Sequence, residues 1–283
     1  MALGALAEAI RFLTALPLPG RSSGDPRQLA AAVSAFPAVG LLIGGTGMVA
    51  GMLAQWLWGA PLHAVAVVLF WALVTFGLHL DGVADTCDAL FSWRSRERKL
   101  EIMRDSRIGT MGAVGLVAVL LLKIGALISL GDGWWLGALV APAWGRWAAT
   151  HGIFWFPTAR EEGVGTSFQS LVRGRHYALG TLLVLGLTAG VGWLPGLLAG
   201  CAVIPAAHLA ARRMTRSLGG LTGDTYGLLS ELGETVALLF LVALHRHPQL
   251  LSTIAAGTSP WLSPWLSPWF SPWFSPWLSP WGS

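Results

Sequence analysis

Seven apolar runs, at roughly 34–57, 62–80, 112–130, 134–155, 177–194, 196–211 and 227–244, constrain this chain more than any other feature. About 20 apolar residues in helical form cross a bilayer's hydrocarbon core. Lipid accepts only backbone whose polar groups are bonded internally, which selects helices for such runs. Pro195 and Gly196 separate two runs that also read as one long kinked helix, so six or eight spans stay open beside seven. Composition points the same way, with 54% hydrophobic residues, 11% charged ones and a mean hydropathy of +0.62. The expected fold is an all-α integral membrane protein, a polytopic bundle of about seven transmembrane helices occupying residues 1–250. The segment before the first run contains Glu8 and Arg11 and ends in Pro17-Leu18-Pro19-Gly20. It does not have the form of a cleavable signal. It reads as an N-terminal helix lying in the membrane interface, with a buried first helix as the alternative.

Charge sets the orientation. With the amino terminus inside, every Lys and Arg except Lys123, Arg146 and Arg246 falls on cytoplasmic connections, as the positive-inside rule requires. The formal charge of +4 is accounted for in this way, and nucleic acid is not an expected partner. Cys87 and Cys201 form no CxxC or Cys/His cluster, so neither a disulfide framework nor a zinc site is implied. The acidic residues gather on the cytoplasmic side as well, which places an active site on that face. Glu97 and Glu101 alternate with Arg94, Arg96, Arg98 and Lys99 and read as a solvated helix with internal pairs.

The chemistry concentrates in His79-Leu80-Asp81-Gly82-Val83-Ala84-Asp85-Thr86-Cys87-Asp88. On a helix, Asp81, Asp85 and Asp88 fall on one stripe. Three carboxylates so placed repel one another unless a cation sits among them, and a divalent metal such as Mg²⁺ is the simplest candidate. A second acidic set, Asp224, Glu231 and Glu234, follows Gly219-Gly220-Leu221-Thr222-Gly223. Glu231 and Glu234 lie within the last apolar run and need partners. Arg146 and Lys123 can supply them structurally, and a catalytic role competes with that reading. Between the two sets, Asp105-Ser106-Arg107-Ile108-Gly109-Thr110 combines a guanidinium fork, hydroxyls and a glycine whose backbone lets an anion approach a helix start. It reads either as a phosphate-handling turn or as a capped helix with Arg107 at lipid headgroups.

The stretches from His79 to Phe91, from Glu101 to Thr110 and from Gly219 to Glu234 resemble those of the adenosylcobinamide-GDP ribazoletransferase family, the cobalamin synthases. The similarity runs from Phe12-Leu13-Thr14-Ala15-Leu16-Pro17-Leu18-Pro19 to about residue 244 and includes Arg160-Glu161-Glu162-Gly163-Val164-Gly165. Ala89 departs from the glycine expected after the third aspartate. The resemblance implies a magnesium-dependent enzyme of the bacterial inner membrane that joins adenosylcobinamide-GDP to α-ribazole, or to its 5′-phosphate, with release of GMP. Carried onto these positions, Asp81, Asp85, Asp88 and Asp224 would hold magnesium. Arg107, with Arg104, would bind phosphate, and Asp88 or Glu231 would serve as general base. His79, Asp105, Ser106, Thr110 and Glu234 are further candidates for substrate contact, although His79 equally fits interfacial packing.

Two other functions fit parts of the pattern. A CDP-alcohol phosphotransferase also displaces a nucleoside monophosphate with helical aspartates, but its Asp-Gly-x-x-Ala-Arg signature is not met by Asp81-Gly82-Val83-Ala84-Asp85. A cation-coupled transporter would favour mid-membrane carboxylates and an internal repeat. Gly44, Gly45, Gly47 and Gly51 would allow close packing against a neighbouring helix or a second subunit. Residues 251–283 are a Ser-Pro-Trp repeat whose prolines exclude helix and ladder pairing. That tail is expected to be disordered or artificial and to take no part in catalysis.

Overall fold

A computed structural model describes residues 3–20, 24–160, 169–247 and 249. The Ser-Pro-Trp tail, most of the Arg160–Gly165 motif and Arg21 lie outside the described residues. Among the described residues ten α-helices follow in order: α1 Leu3–Leu13, α2 Pro26–Ala32, α3 Phe36–Trp58, α4 Leu62–Val74, α5 Leu78–Leu90, α6 Arg96–Ile102, α7 Thr110–Ser129, α8 Trp134–Trp155, α9 Gly174–Leu218 and α10 Gly223–Arg246. Among the described residues there is no strand; Thr158 and Leu221 form an isolated parallel bridge.

Among the described residues four stretches are long and apolar enough to cross a membrane: Pro26–Trp58, Thr110–Ser129, Leu194–Leu218 and Gly223–Arg246. A fifth arises if α4 and α5 count together, although these two are bent 89° apart. The expected run 62–80 is therefore not one straight span. Thr75 Oγ1 bonds back to the Trp71 carbonyl at 2.9 Å and Gly77 N to Ala72 O at 2.7 Å, closing α4. Phe76 and Gly77 then take positive φ values of 50° and 67° and turn the chain. The run 134–155 forms α8, whose tryptophans, Arg146 and His151 keep it out of that apolar class. It is nonetheless the most enclosed helix, with Trp144, Arg146 and Trp147 almost fully buried. Polar and aromatic side chains are tolerated there because protein, not solvent or lipid, surrounds them.

Along α9 the chain bends sharply between Thr188 and Gly196. A Cβ on Gly196 would come 2.9 Å from the Thr188 carbonyl oxygen, whereas eight residues of straight helix would separate them by roughly 12 Å. The indole of Trp144 donates to Gly196 O at 2.8 Å and holds the bend against α8.

The glycine stripe of α3 is consumed within the chain. Gly40 and Gly44 abut the backbone of α8 at Pro142 and Leu139, Gly47 abuts the Trp71 indole, and Gly51 abuts Val67 and Trp134. α1 packs Ala9 and Leu13 into the same core and buries Glu8 beside Arg11. Ala15 N donates to Val74 O at 2.7 Å, strapping the end of α1 to the α4–α5 joint.

At the end of the bundle that carries the basic loops, three connections are clamped together. Ala159 N bonds to Leu221 O at 2.8 Å and Leu221 N to Pro157 O at 2.7 Å. Arg96 of α6 donates to Leu218 O at 2.8 Å and to Ala159 O at 3.3 Å, and Lys99 donates to Ser217 at 2.8 Å. Ala89, Met103, Ala159 and Leu218 make a small apolar core beneath. This clamp places Arg160, one residue past Ala159, beside the start of α10.

Candidate active site

α5 and α10 bring the two acidic stretches together. Gly82 sits so close to Asp224 that a Cβ at residue 82 would strike the Asp224 carbonyl oxygen, and Gly227 packs in the same way on His79. Helices approach this closely where one presents no side chain. Asp224 lies in the first turn of α10, which Thr222 caps by accepting from Thr225 N at 3.3 Å. Its carboxylate receives Thr222 Oγ1 at 3.3 Å and Arg160 Nη2 at 3.4 Å. The charges acting on Asp85 are those of Asp81, Asp224 and Asp88, opposed by Arg160. Asp81 is exposed and Asp85 half-buried. Neither has an ion-pair partner among the described residues.

Asp88 is placed differently. Its Oδ2 accepts from Gly109 N at 2.7 Å and its Oδ1 from Gly112 N at 2.8 Å. Both oxygens thus cap the amino terminus of α7, where amides left unpaired by the helix favour an anion. A Cβ at Gly109 or Gly112 would collide with that carboxylate. The glycine at the start of α7 does admit an anion to backbone amides, and that anion is the side chain of Asp88.

Arg107 is 87% exposed and forks onto Asp105, with Nε 3.0 Å from Oδ1 and Nη2 2.7 Å from Oδ2. These hydrogen bonds hold the Asp105 carboxyl down to about 2. Arg104 and Ser106 are exposed on the same loop, and Thr110 is exposed at the start of α7.

A second polar system lies inside the bundle. Lys123 of α7 bonds to Glu231 at 2.5 Å and also to Glu234, and Arg146 of α8 pairs with the other oxygen of Glu234. All four side chains are at most 7% exposed. Nη2 of Arg146 lies 3.2 Å from Nδ1 of buried His79. A guanidinium only donates, so this ring nitrogen accepts and the imidazole proton sits on Nε2. Two cations thus balance two carboxylates, and Lys123 also lies 5.5 Å from the Trp71 ring centroid. Glu231, Glu234 and His79 are engaged with these two cations. The sequence offered Lys123 and Arg146 as partners because a charge inside an apolar run must be compensated. In the sequence Arg160 figures only as part of the Arg160–Gly165 motif, with no role assigned to it.

A cavity of about 720 Å³ opens beside Asp81, walled by Arg11, Phe12, Phe76, Ile108 and Leu116 among others. Its lining is mainly apolar.

A model of the cobalamin-5-phosphate synthase family matches residues 5–242. The chain belongs to that family. An adenosylcobinamide-GDP ribazoletransferase of Herpetosiphon aurantiacus is 49% identical over 245 residues, covering 87% of this chain and 98% of the relative. One from a Roseiflexus species is 49% identical over 236 residues, covering 83% and 88%. No solved structure matches. The cobalamin-5-phosphate synthase match spans both acidic helices, α7 and the clamp of loops.

Magnesium is the metal to weigh against these residues. Among the described residues, no group of three or more His, Cys, Asp or Glu side chains is arranged to hold a metal ion. Magnesium does not need such a cage. It binds through one or two carboxylates and completes its shell with water and substrate phosphates. Asp85 and Asp224, hard oxygen donors on two helices that touch at Gly82, fit that requirement.

Proposed function

We propose that this chain is an adenosylcobinamide-GDP ribazoletransferase of cobalamin biosynthesis, the activity for which its two relatives are named. The observation that carries the site is the close contact of Gly82 with the Asp224 backbone, which sets the helix bearing Asp81 and Asp85 against the start of α10. In the reaction, a ribazole hydroxyl oxygen attacks the phosphorus that bears the cobinamide arm. A new P–O bond forms, the bond to the GMP oxygen breaks, and the hydroxyl proton must be taken up.

Asp85 and Asp224 would hold magnesium, which when bound neutralises charge on the phosphoryl oxygens. A metal-bound carboxylate is a poor base, so the proton goes to Asp81, which borders the cavity. Arg160, at 3.4 Å from Asp224, fixes that carboxylate and offers donors to the pyrophosphate. Arg107 exchanges Asp105 for a substrate phosphate when the nucleotide arrives. Asp88 holds α5 against α7, and the Lys123, Arg146, Glu231 and Glu234 network fixes α5 from below through His79.

In this reading the bundle crosses the inner membrane about seven times, counting α8 and both halves of α9. α1 lies at the interface, and the acidic site faces the cytoplasm. The test is GMP release by the purified protein supplied with adenosylcobinamide-GDP, α-ribazole and Mg²⁺. Asp85→Asn should cut release steeply and raise the magnesium concentration that the remaining activity requires. Asp81→Asn should abolish release while the protein still binds the metal. Full turnover in either variant refutes the assignment.

A further inference from the structure

The cavity beside Asp81 is formed where α1 meets the α4–α5 joint and α7, and three observations there point to a ligand. It holds about 720 Å³, within the usual range for small-molecule sites. Arg11 lines it and keeps its Nε buried without a hydrogen-bond partner. Its Nη1 reaches Glu8 at 3.3 Å and its Nη2 donates to Pro19 O at 2.7 Å, so two of its five N–H donors hold the guanidinium in place. Phe76, also in the lining, is 84% exposed and has a φ of 50°. A large side chain rarely takes that conformation, and such positions cluster at binding sites.

We infer that this cavity receives the acceptor, a ribonucleoside with a flat apolar base, and that Arg11 recognises its 5′-phosphate. The apolar walls, with Phe12 and Phe76, suit the base, since aromatic faces stack on bases of any identity. Asp81 borders the same space, so an acceptor hydroxyl directed at it stands next to the residue that takes its proton. Arg11 supplies the fork that phosphate recognition favours. The corrinoid substrate is far larger than such a cavity and is left to the open face around Asp224 and the loops. This inference rests on the proposed transferase activity and names the subsite for its second substrate.

Equilibrium dialysis of α-ribazole and of α-ribazole 5′-phosphate against the full chain in nanodiscs separates this inference from the activity it rests on. The wild-type protein should bind the phosphorylated acceptor more tightly. Arg11→Gln should shrink that preference by about tenfold or more, while binding of the unphosphorylated acceptor changes little. Phe76→Ala should weaken both acceptors alike. Equal loss for both acceptors in Arg11→Gln would mean a structural role through Glu8 and Pro19, and would overturn the inference. So would an absence of preference in the wild type, or unchanged binding in Phe76→Ala. A response of Arg11→Gln to anionic phospholipid in the nanodisc, with the acceptor preference unmoved, would assign Arg11 to lipid phosphate instead. Absent GMP release with acceptor binding intact refutes the transferase reading and leaves the nucleoside site standing.

Discussion

Gly82 of α5 lies against the backbone of Asp224 at the start of α10, with no room for a methyl group between them. This contact sets the separation of the two helices that carry Asp85 and Asp224. Gly82→Ala must push the helices apart or bend one of them. Overpacking of this kind costs about 1–3 kcal/mol, and a displacement of about 1 Å at the chemistry costs on the order of 100-fold in rate. The expected variant inserts and folds, unfolds at a lower temperature and loses about 100-fold in GMP release. Wild-type turnover in Gly82→Ala would show that the two carboxylates need not be held at this spacing.

Asp88 is expected to act on stability before chemistry. Asp88→Ala leaves the amides of Gly109 and Gly112 without their acceptors, a loss of about 1–3 kcal/mol. Asp88→Asn keeps one acceptor oxygen and should recover part of that loss. Thermal unfolding in detergent measures both, and a magnesium titration of activity should shift less in Asp88→Asn than in Asp85→Asn. The opposite order would restore Asp88 to the metal site.

Much of this arrangement is legible in the residues. The i, i+4, i+7 spacing of Asp81, Asp85 and Asp88 places them on one helix face, and α5 has that form. The pairing of Glu231 and Glu234 with Lys123 and Arg146 follows from the cost of an uncompensated charge in an apolar run. Tertiary contacts decide the rest. Asp88 turns to α7 because two glycines there leave amides open to it, and no spacing rule distinguishes it from Asp85. The run 62–80 hides its break because Thr75-Phe76 resembles the helix before it and Gly77 alone signals a turn. α8 looks like any other span in sequence, yet its tryptophans and Arg146 belong to a helix enclosed by neighbours. Arg11 reads as a cytoplasmic surface charge until α1 is seen to close a cavity beside Asp81.

The buried network distinguishes a counter-ion from a base. Lys123→Met removes one of two cations that face Glu231 and Glu234 and leaves a carboxylate uncompensated. Breaking a buried pair from one side costs about 3–5 kcal/mol. The double variant Lys123→Met with Glu231→Gln restores the balance between Arg146 and Glu234. It should regain part of the lost stability together with measurable turnover. Regained stability without any GMP release would instead make Glu231 a participant in proton transfer.

Arg107 and Asp105 give a prediction with a defined pH window. Hydrogen bonds from Arg107 hold the Asp105 carboxyl at about 2, below its ordinary value of 3.8. The folded state therefore favours the ionised form. Whatever this pair contributes is present above the ordinary carboxylate value and lost as pH falls towards 2. Between about pH 5 and pH 9 the pair stays ionised and adds no slope to a rate profile. Asp105→Asn should leave the shape of the pH–rate profile over that interval unchanged. It should also lower KM for adenosylcobinamide-GDP, because the Arg107 fork is no longer held by a carboxylate. Arg107→Lys keeps the charge, loses the fork and should raise that KM with kcat little altered. Initial rates of GMP release across that pH interval test all three expectations. An acid limb that moves in Asp105→Asn, or a KM indifferent to both substitutions, would place recognition of the nucleotide phosphates elsewhere, with Arg160 beside Asp224 as a candidate.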